Sequence, residues 1–153
     1  MGLARIGVGA NLGDAEGTVR GAIAALSGLG TVARVSSLYR TQPWGVVDQP
    51  EFVNAAVLLE TQLEPRELLA GLKALEVTLG RRPGPRWGPR AIDLDLLAYD
   101  DRRLNEPDIV VPHPRLNERA FALVPLAEVD PTYRAALERL ERSERDGVRR
   151  LGS

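Results

Sequence analysis

No cysteine occurs among the 153 residues, which excludes a disulfide framework and any thiolate or zinc-thiolate chemistry. Histidine and lysine occur once each, as His113 and Lys73, so nineteen of the twenty basic residues are arginine, a bias we ascribe to genome composition. Seven aromatic residues are too few for a sheet that stacks bases, and a net charge of −1 supplies no general field for nucleic acid. No apolar run of about 18 residues exists to span a bilayer, and the N-terminus lacks a charged segment leading into an apolar signal core. Internal repeats and low-complexity segments are absent as well. A soluble, cytoplasmic protein without nucleic-acid or membrane partners is expected. At 44% hydrophobic and 27% charged, the chain fits a single globular domain over residues 1–153.

What is present is concentrated. Arg81, Arg82, Arg86 and Arg90 fall within ten positions, in a loop stiffened by Pro83, Pro85 and Pro89. Four arginines so close repel one another unless water or an anion absorbs the charge. The loop runs into Ile92 to Tyr99, whose apolar content and bounded length are those of a β-strand. Strand alternation puts Asp93 and Asp95 on one face and Ile92, Leu94 and Leu96 on the other. Two carboxylates roughly 6 to 7 Å apart either lie on a solvated face or share a cation. Aspartate is depleted in strands, and the arginines and Trp87 stand just upstream, so Mg²⁺ is the favoured reading.

The remaining elements follow in order. Leu3 to Val8 reads as a strand ending at a glycine-containing turn, Gly9 to Asp14, that lacks a full phosphate-loop pattern. Asp14 suits the N-cap of a helix to about Leu26, and Thr31 to Arg40 alternates as a second strand. Thr41 to Pro50 is a loop. Phe52 to Glu60 is a third strand in which Asn54 either pairs with neighbouring backbone or reads a ligand with its amide. Pro65 opens a helix to about Leu79, with Leu68, Leu69, Leu72, Leu75 and Leu79 as the buried stripe. Glu76, at the edge of that stripe, is equally well an exposed glutamate or a functional one. After the aspartate strand come a turn at Asp100, a short apolar piece at Ile109 to Val111, and His113 between two prolines. A largely helical Leu116 to Leu126, a polar helix from about Thr132 to Arg145, and a frayed end complete the chain. The order βαββαβ points to an α+β, ferredoxin-like two-layer sandwich with an antiparallel sheet and additional C-terminal helices.

Several motifs, taken together, resemble one family. Tyr39-Arg40-Thr41, Asp48-Gln49-Pro50, Phe52-Val53-Asn54, Arg86-Trp87-Gly88-Pro89-Arg90, Ile92-Asp93-Leu94-Asp95 and Pro112-His113-Pro114-Arg115 are similar to 6-hydroxymethyl-7,8-dihydropterin pyrophosphokinases of folate biosynthesis. The resemblance runs in order from Gly9 to about Pro131. It implies transfer of the β,γ-diphosphate of ATP to the hydroxymethyl oxygen of the pterin, releasing AMP. It further implies two Mg²⁺ ions held by Asp93 and Asp95, with Arg86 and Arg90 stabilising charge nearest the reaction. ATP contacts are implied for Lys73, Glu76, Arg81, Arg86, Trp87, Arg90, Leu96, Val110, His113 and Arg119. Pterin contacts are implied for Thr41, Pro43, Trp44, Phe52, Asn54, Trp87, Asp93 and Phe121. The arginine loop is expected to close over ATP, and the enzyme to act as a monomer. Gln42, Phe52 and Pro83 depart from residues seen in some members.

Other readings make less of the aspartate strand. A non-catalytic ferredoxin-like binding module has no use for paired carboxylates beside an arginine loop. An RNA-binding sheet needs more aromatics. An ATP-dependent kinase with a different acceptor would use the same aspartates and arginines, and differs only in the pocket.

Overall fold

The computed structural model describes residues 1–41, 50–80 and 92–151. Strand β1 (Gly2–Ala10) leads into helix α1 (Ala15–Ala25), whose N-cap Asp14 accepts a hydrogen bond from the Gly17 amide at 3.0 Å. Strands β2 (Thr31–Val35), β3 (Tyr39–Thr41) and β4 (Phe52–Thr61) follow, then helix α2 (Pro65–Thr78) and strand β5 (Asp93–Tyr99). A hairpin of β6 (Leu104–Glu106) and β7 (Ile109–Val111) stands apart from the main sheet. Helices α3 (Ala120–Val129), α4 (Arg134–Glu138) and α5 (Arg142–Asp146) and strand β8 (Val148–Arg150) end the described chain.

The main sheet runs β5-β1-β4-β3-β8, with β2 also on β4, and every pairing is antiparallel. This is the ferredoxin-like order, with β2 and β3 sharing the place of one strand. The expected strand over Thr31 to Arg40 is therefore corrected to two. The break has a local cause at Ser36. Its amide donates to the Ala56 carbonyl, while its hydroxyl accepts from the Ala56 amide, each at 2.9 Å. A side-chain oxygen has taken the place of a ladder carbonyl, and the strand steps out of register.

Alternation divides the core. Ile6, Val8, Val53, Val57, Leu59 and Leu94 face α1 and α2, where Val19, Leu26, Leu68 and Leu72 are fully buried. Ala56, Leu58 and Leu97 face the other way, against Leu116, Leu123, Leu126 and Val129. Thus α3 adds a layer of cover to the expected two-layer core. The polar helix expected from Thr132 to Arg145 is interrupted. Leu140 closes a tight turn onto the Leu137 carbonyl at 3.1 Å, which keeps both leucines against the core, and Glu141 is extended with ψ 144°. Nor is the end frayed through Leu151, because β8 pairs with β3 and the Leu151 amide donates to Leu38 at 2.8 Å.

Polar ties set α3 on the sheet. Arg5 Nε meets Asp130 Oδ2 at 3.0 Å, and Asp130 Oδ1 accepts from the Thr132 amide and hydroxyl at 3.1 and 2.7 Å. Burial alone would raise the Asp130 carboxyl, but the Thr132 hydrogen bonds and Arg5 outweigh it and hold the pKa below its ordinary value. A depressed carboxylate contributes stability above its unfolded pKa, and that stability is lost as pH falls through the lower folded value. Denaturant unfolding should therefore show a loss of stability on acidification below the ordinary aspartate range, with a shallower loss in Asp130→Asn. Asp130→Ala should cost ~3 kcal/mol at neutral pH, because it strands the partly buried Arg5.

Candidate active site

Register brings the notable residues into rows on the α3 side of the sheet. Asp93, Gly9, Asn54 and Tyr39 align across four strands, and Asp95, Gly7 and Ala56 align in the next row. The two carboxylates do project together, as alternation required. Beside them the central strand carries only glycines on this face, so backbone forms the floor. A Cβ on Gly9 would stand 2.6 Å from Asn54 Oδ1, and one on Gly7 would stand 3.3 Å from Leu97 Cδ1. Asn54 is buried, and its Nδ2 donates to Thr41 Oγ1 at 2.8 Å. The partner that holds this amide is thus a side chain.

Helix α2 holds the carboxylate strand from its open edge. Glu76 is 2% exposed, and its Oε2 accepts from the Leu94 amide, between the two aspartates, at 2.7 Å. Its Oε1 lies 3.6 Å from Lys73 Nζ. The exposed reading of Glu76 is overturned. Glu76→Ala is expected to leave a buried amide unsatisfied, costing about 2 kcal/mol, while Glu76→Gln retains an acceptor and most of that stability. Thermal unfolding of the two variants separates the cases.

His113 closes the far side, its amide donating to the Leu97 carbonyl at 2.8 Å and its Nδ1 accepting from the Arg115 amide at 3.3 Å. Arg119 stands 5.6 Å from the centre of the Phe121 ring. Burial pushes the Asp95 carboxyl up, and Glu76 adds to this, while His113, Lys73 and Arg119 oppose it. His113 is pushed down by burial, with Arg119 and Arg115 adding to it and Asp95 opposing. Arg119 is lowered by burial and Arg115, against Asp95 and Asp93. Opposite charges are therefore gathered around a partly desolvated carboxylate.

A cleft of about 400 Å³ opens beside this ground, with Thr41, Arg119 and Phe121 among its lining residues. Phe52 is half-buried where β4 begins, paired with Thr41. Leu96 is buried in the core on the α1 and α2 side, and Val110 is 40% exposed on the β6–β7 hairpin. Pro43, Trp44, Arg81, Arg86, Trp87 and Arg90, with Gln42 and Pro83, lie outside the described residues, as does the expected closing loop. Among the described residues no group of three or more His, Cys, Asp or Glu side chains is placed to hold a metal. An oxygen-only pair such as Asp93 and Asp95 fits Mg²⁺, which keeps waters and substrate phosphate oxygens for the rest of its octahedron. Sequence reasoning missed the floor glycines and the cleft wall from Ser143 to Val148. Glycines at alternate positions of β1 were the available signal for the first.

Paired carboxylates, local cations and a buried amide on one sheet face have the chemistry that phosphoryl transfer calls for. Residues 5–131 match the family model described as 7,8-dihydro-6-hydroxymethylpterin-pyrophosphokinase (HPPK). The chain is 44% identical over 158 residues to a 2-amino-4-hydroxy-6-hydroxymethyldihydropteridine pyrophosphokinase of Methylorubrum extorquens, covering 97% of this chain and 98% of that one. It is 45% identical over 129 residues to the protein of the same name from Bacillus subtilis, covering 83% and 77%. A crystal structure titled as HPPK-DHPS in complex with substrates shares the fold with a TM-score of 0.71 at 13% identity, over 90% of this chain and 43% of that one. The chain belongs to the 7,8-dihydro-6-hydroxymethylpterin-pyrophosphokinase family. As a member it is an ATP-dependent diphosphotransferase of folate biosynthesis.

Proposed function

We propose that this chain transfers the β,γ-diphosphate of ATP to the hydroxymethyl oxygen of 6-hydroxymethyl-7,8-dihydropterin, with Asp93 and Asp95 holding two Mg²⁺ ions. The observation that carries this reading is the shared row of Asp93, Gly9 and Asn54. With neighbouring strands about 4.8 Å apart, the backbones of Asn54 and Asp93 lie about 10 Å apart across a glycine floor. A pterin read by Asn54 and stacked on Phe121 therefore directs its hydroxymethyl group towards the aspartates. Bound Mg²⁺ would supply charge neutralisation and alignment for the triphosphate. His113 and Arg119 grip phosphate oxygens, Lys73 adds positive charge beside Glu76, and backbone near Leu96 and Val110 meets the adenine. Arg81, Arg86, Trp87 and Arg90 complete the ATP contacts, and Pro43, Trp44, Phe52 and Trp87 complete the pterin slot. In the step itself the acceptor hydroxyl gives up its proton to solvent, its oxygen bonds to the β phosphorus, and that phosphorus parts from the α,β-bridging oxygen, which leaves on AMP.

No helix among the described residues is long and apolar enough to cross a membrane. We read the chain as one catalytic domain acting as a cytoplasmic monomer. The test is an assay of purified protein with ATP, Mg²⁺ and the pterin, beside Asn54→Ala. AMP formed only when metal and pterin are both present, with a raised pterin KM in the variant, supports the reading. ATP binding without turnover of this pterin would transfer support to a kinase with another acceptor.

A further inference from the structure

The cleft has a wall that the family match does not reach. Its lining includes Ser143, Gly147 and Val148, whereas the matched residues end at 131. This wall is anchored to the sheet. Val148 pairs with Thr41, Arg149 with Arg40 and Arg150 with Tyr39 in antiparallel register, and Arg149 also forms an ion pair with Glu51. The consequence passes inward along one chain of contacts, because Val148 fixes the backbone of Thr41 and the Thr41 hydroxyl accepts from the Asn54 amide.

We propose that the turn from α5 into β8, at Gly147 and Val148, is a specificity-determining wall of the acceptor site. It limits the width of the ring system that can lie against Phe121 and props the Thr41–Asn54 pair from outside. The inference rests on reading the cleft as the pterin site. Val148 is half-buried and Gly147 exposed, so the wall has an inner and an outer part. Gly147 has φ −72° and ψ −11°, a conformation open to any residue, and a Cβ there would meet nothing nearer than the Glu144 carbonyl at 3.4 Å. Bulk can therefore be added at the rim without straining the backbone.

Three variants of the full chain test this in steady-state assays with ATP and pterin varied separately. Gly147→Leu should raise the pterin KM roughly tenfold, with the ATP KM and thermal midpoint unchanged. Val148→Ala should widen the cleft and raise kcat/KM about threefold for a dihydropterin bearing an extra ring alkyl group, relative to the parent acceptor. Asn54→Ala reports on the acceptor site itself. A raised pterin KM in Asn54→Ala, with pterin KM and acceptor preference unmoved in both wall variants, would overturn the inference and leave the wall merely structural. If Asn54→Ala also left the pterin KM unchanged, the cleft would not be the acceptor site and both readings would fall together. Should Gly147→Leu lower the thermal midpoint, the acceptor preference of Val148→Ala decides.

Discussion

Asp95→Ala is expected to lower kcat by ~10³-fold while the fold survives, because phosphoryl transfer depends on charge placement and Asp95 is one of the two carboxylates that β5 presents on the α3 side of the sheet. The variant removes no core packing, since Asp95 projects from the edge strand above a glycine. Its neighbours amplify the effect. Asp95 faces Lys73 and Arg119 as well as His113, and deleting the carboxylate leaves the lysine and the arginine with less to oppose them. Asp95→Asn sharpens the test, since it keeps the shape and loses the charge. It should resemble Asp95→Ala in kcat and in its requirement for higher Mg²⁺. An Asn variant with near-normal turnover would show that shape, not charge, is what the position supplies.

Gly9→Ala should raise the pterin KM by ~10²-fold, a large change for one methyl group. The methyl would stand 2.6 Å from Asn54 Oδ1, too close to be tolerated. A surface side chain would swing aside cheaply. Asn54 is buried and tied to Thr41, so its displacement breaks the hydrogen bond that orients the amide. A site built to hydrogen-bond its ligand loses most when that group is misplaced, because the polar edges of the ligand are then buried unpaired. The ATP KM should move little, since the nucleotide contacts proposed above come from other elements. Isothermal titration with pterin and with an ATP analogue separates the two effects.

Both predictions draw on features with different legibility in the chain. The aspartate pair was readable because strand alternation is rigid, and two acidic residues in an aliphatic run need a cause. The α2 stripe and the Asp14 cap were readable for the same reason, local geometry acting over a few residues. Glu76 was not. Its position at the edge of the stripe fits exposure, and only the edge position of β5 provides the buried amide that takes it inward. The break between β2 and β3 depends on one serine hydroxyl meeting one amide on a neighbouring strand, a contact made by the register of β4. The cleft wall was hidden for a related reason. Val148–Arg150 is too short and too basic to announce a strand, and it becomes one only because β3 offers an open edge.

Attack at the β phosphorus is tested by following the phosphorus atoms. With ATP labelled at the β phosphorus, the label is expected to leave on the pterin, in a diphosphate, and the nucleotide product to be unlabelled AMP. Label retained in ADP, with a single phosphate on the pterin, would contradict attack at the β phosphorus and with it the placement of the acceptor against Asp93 and Asp95.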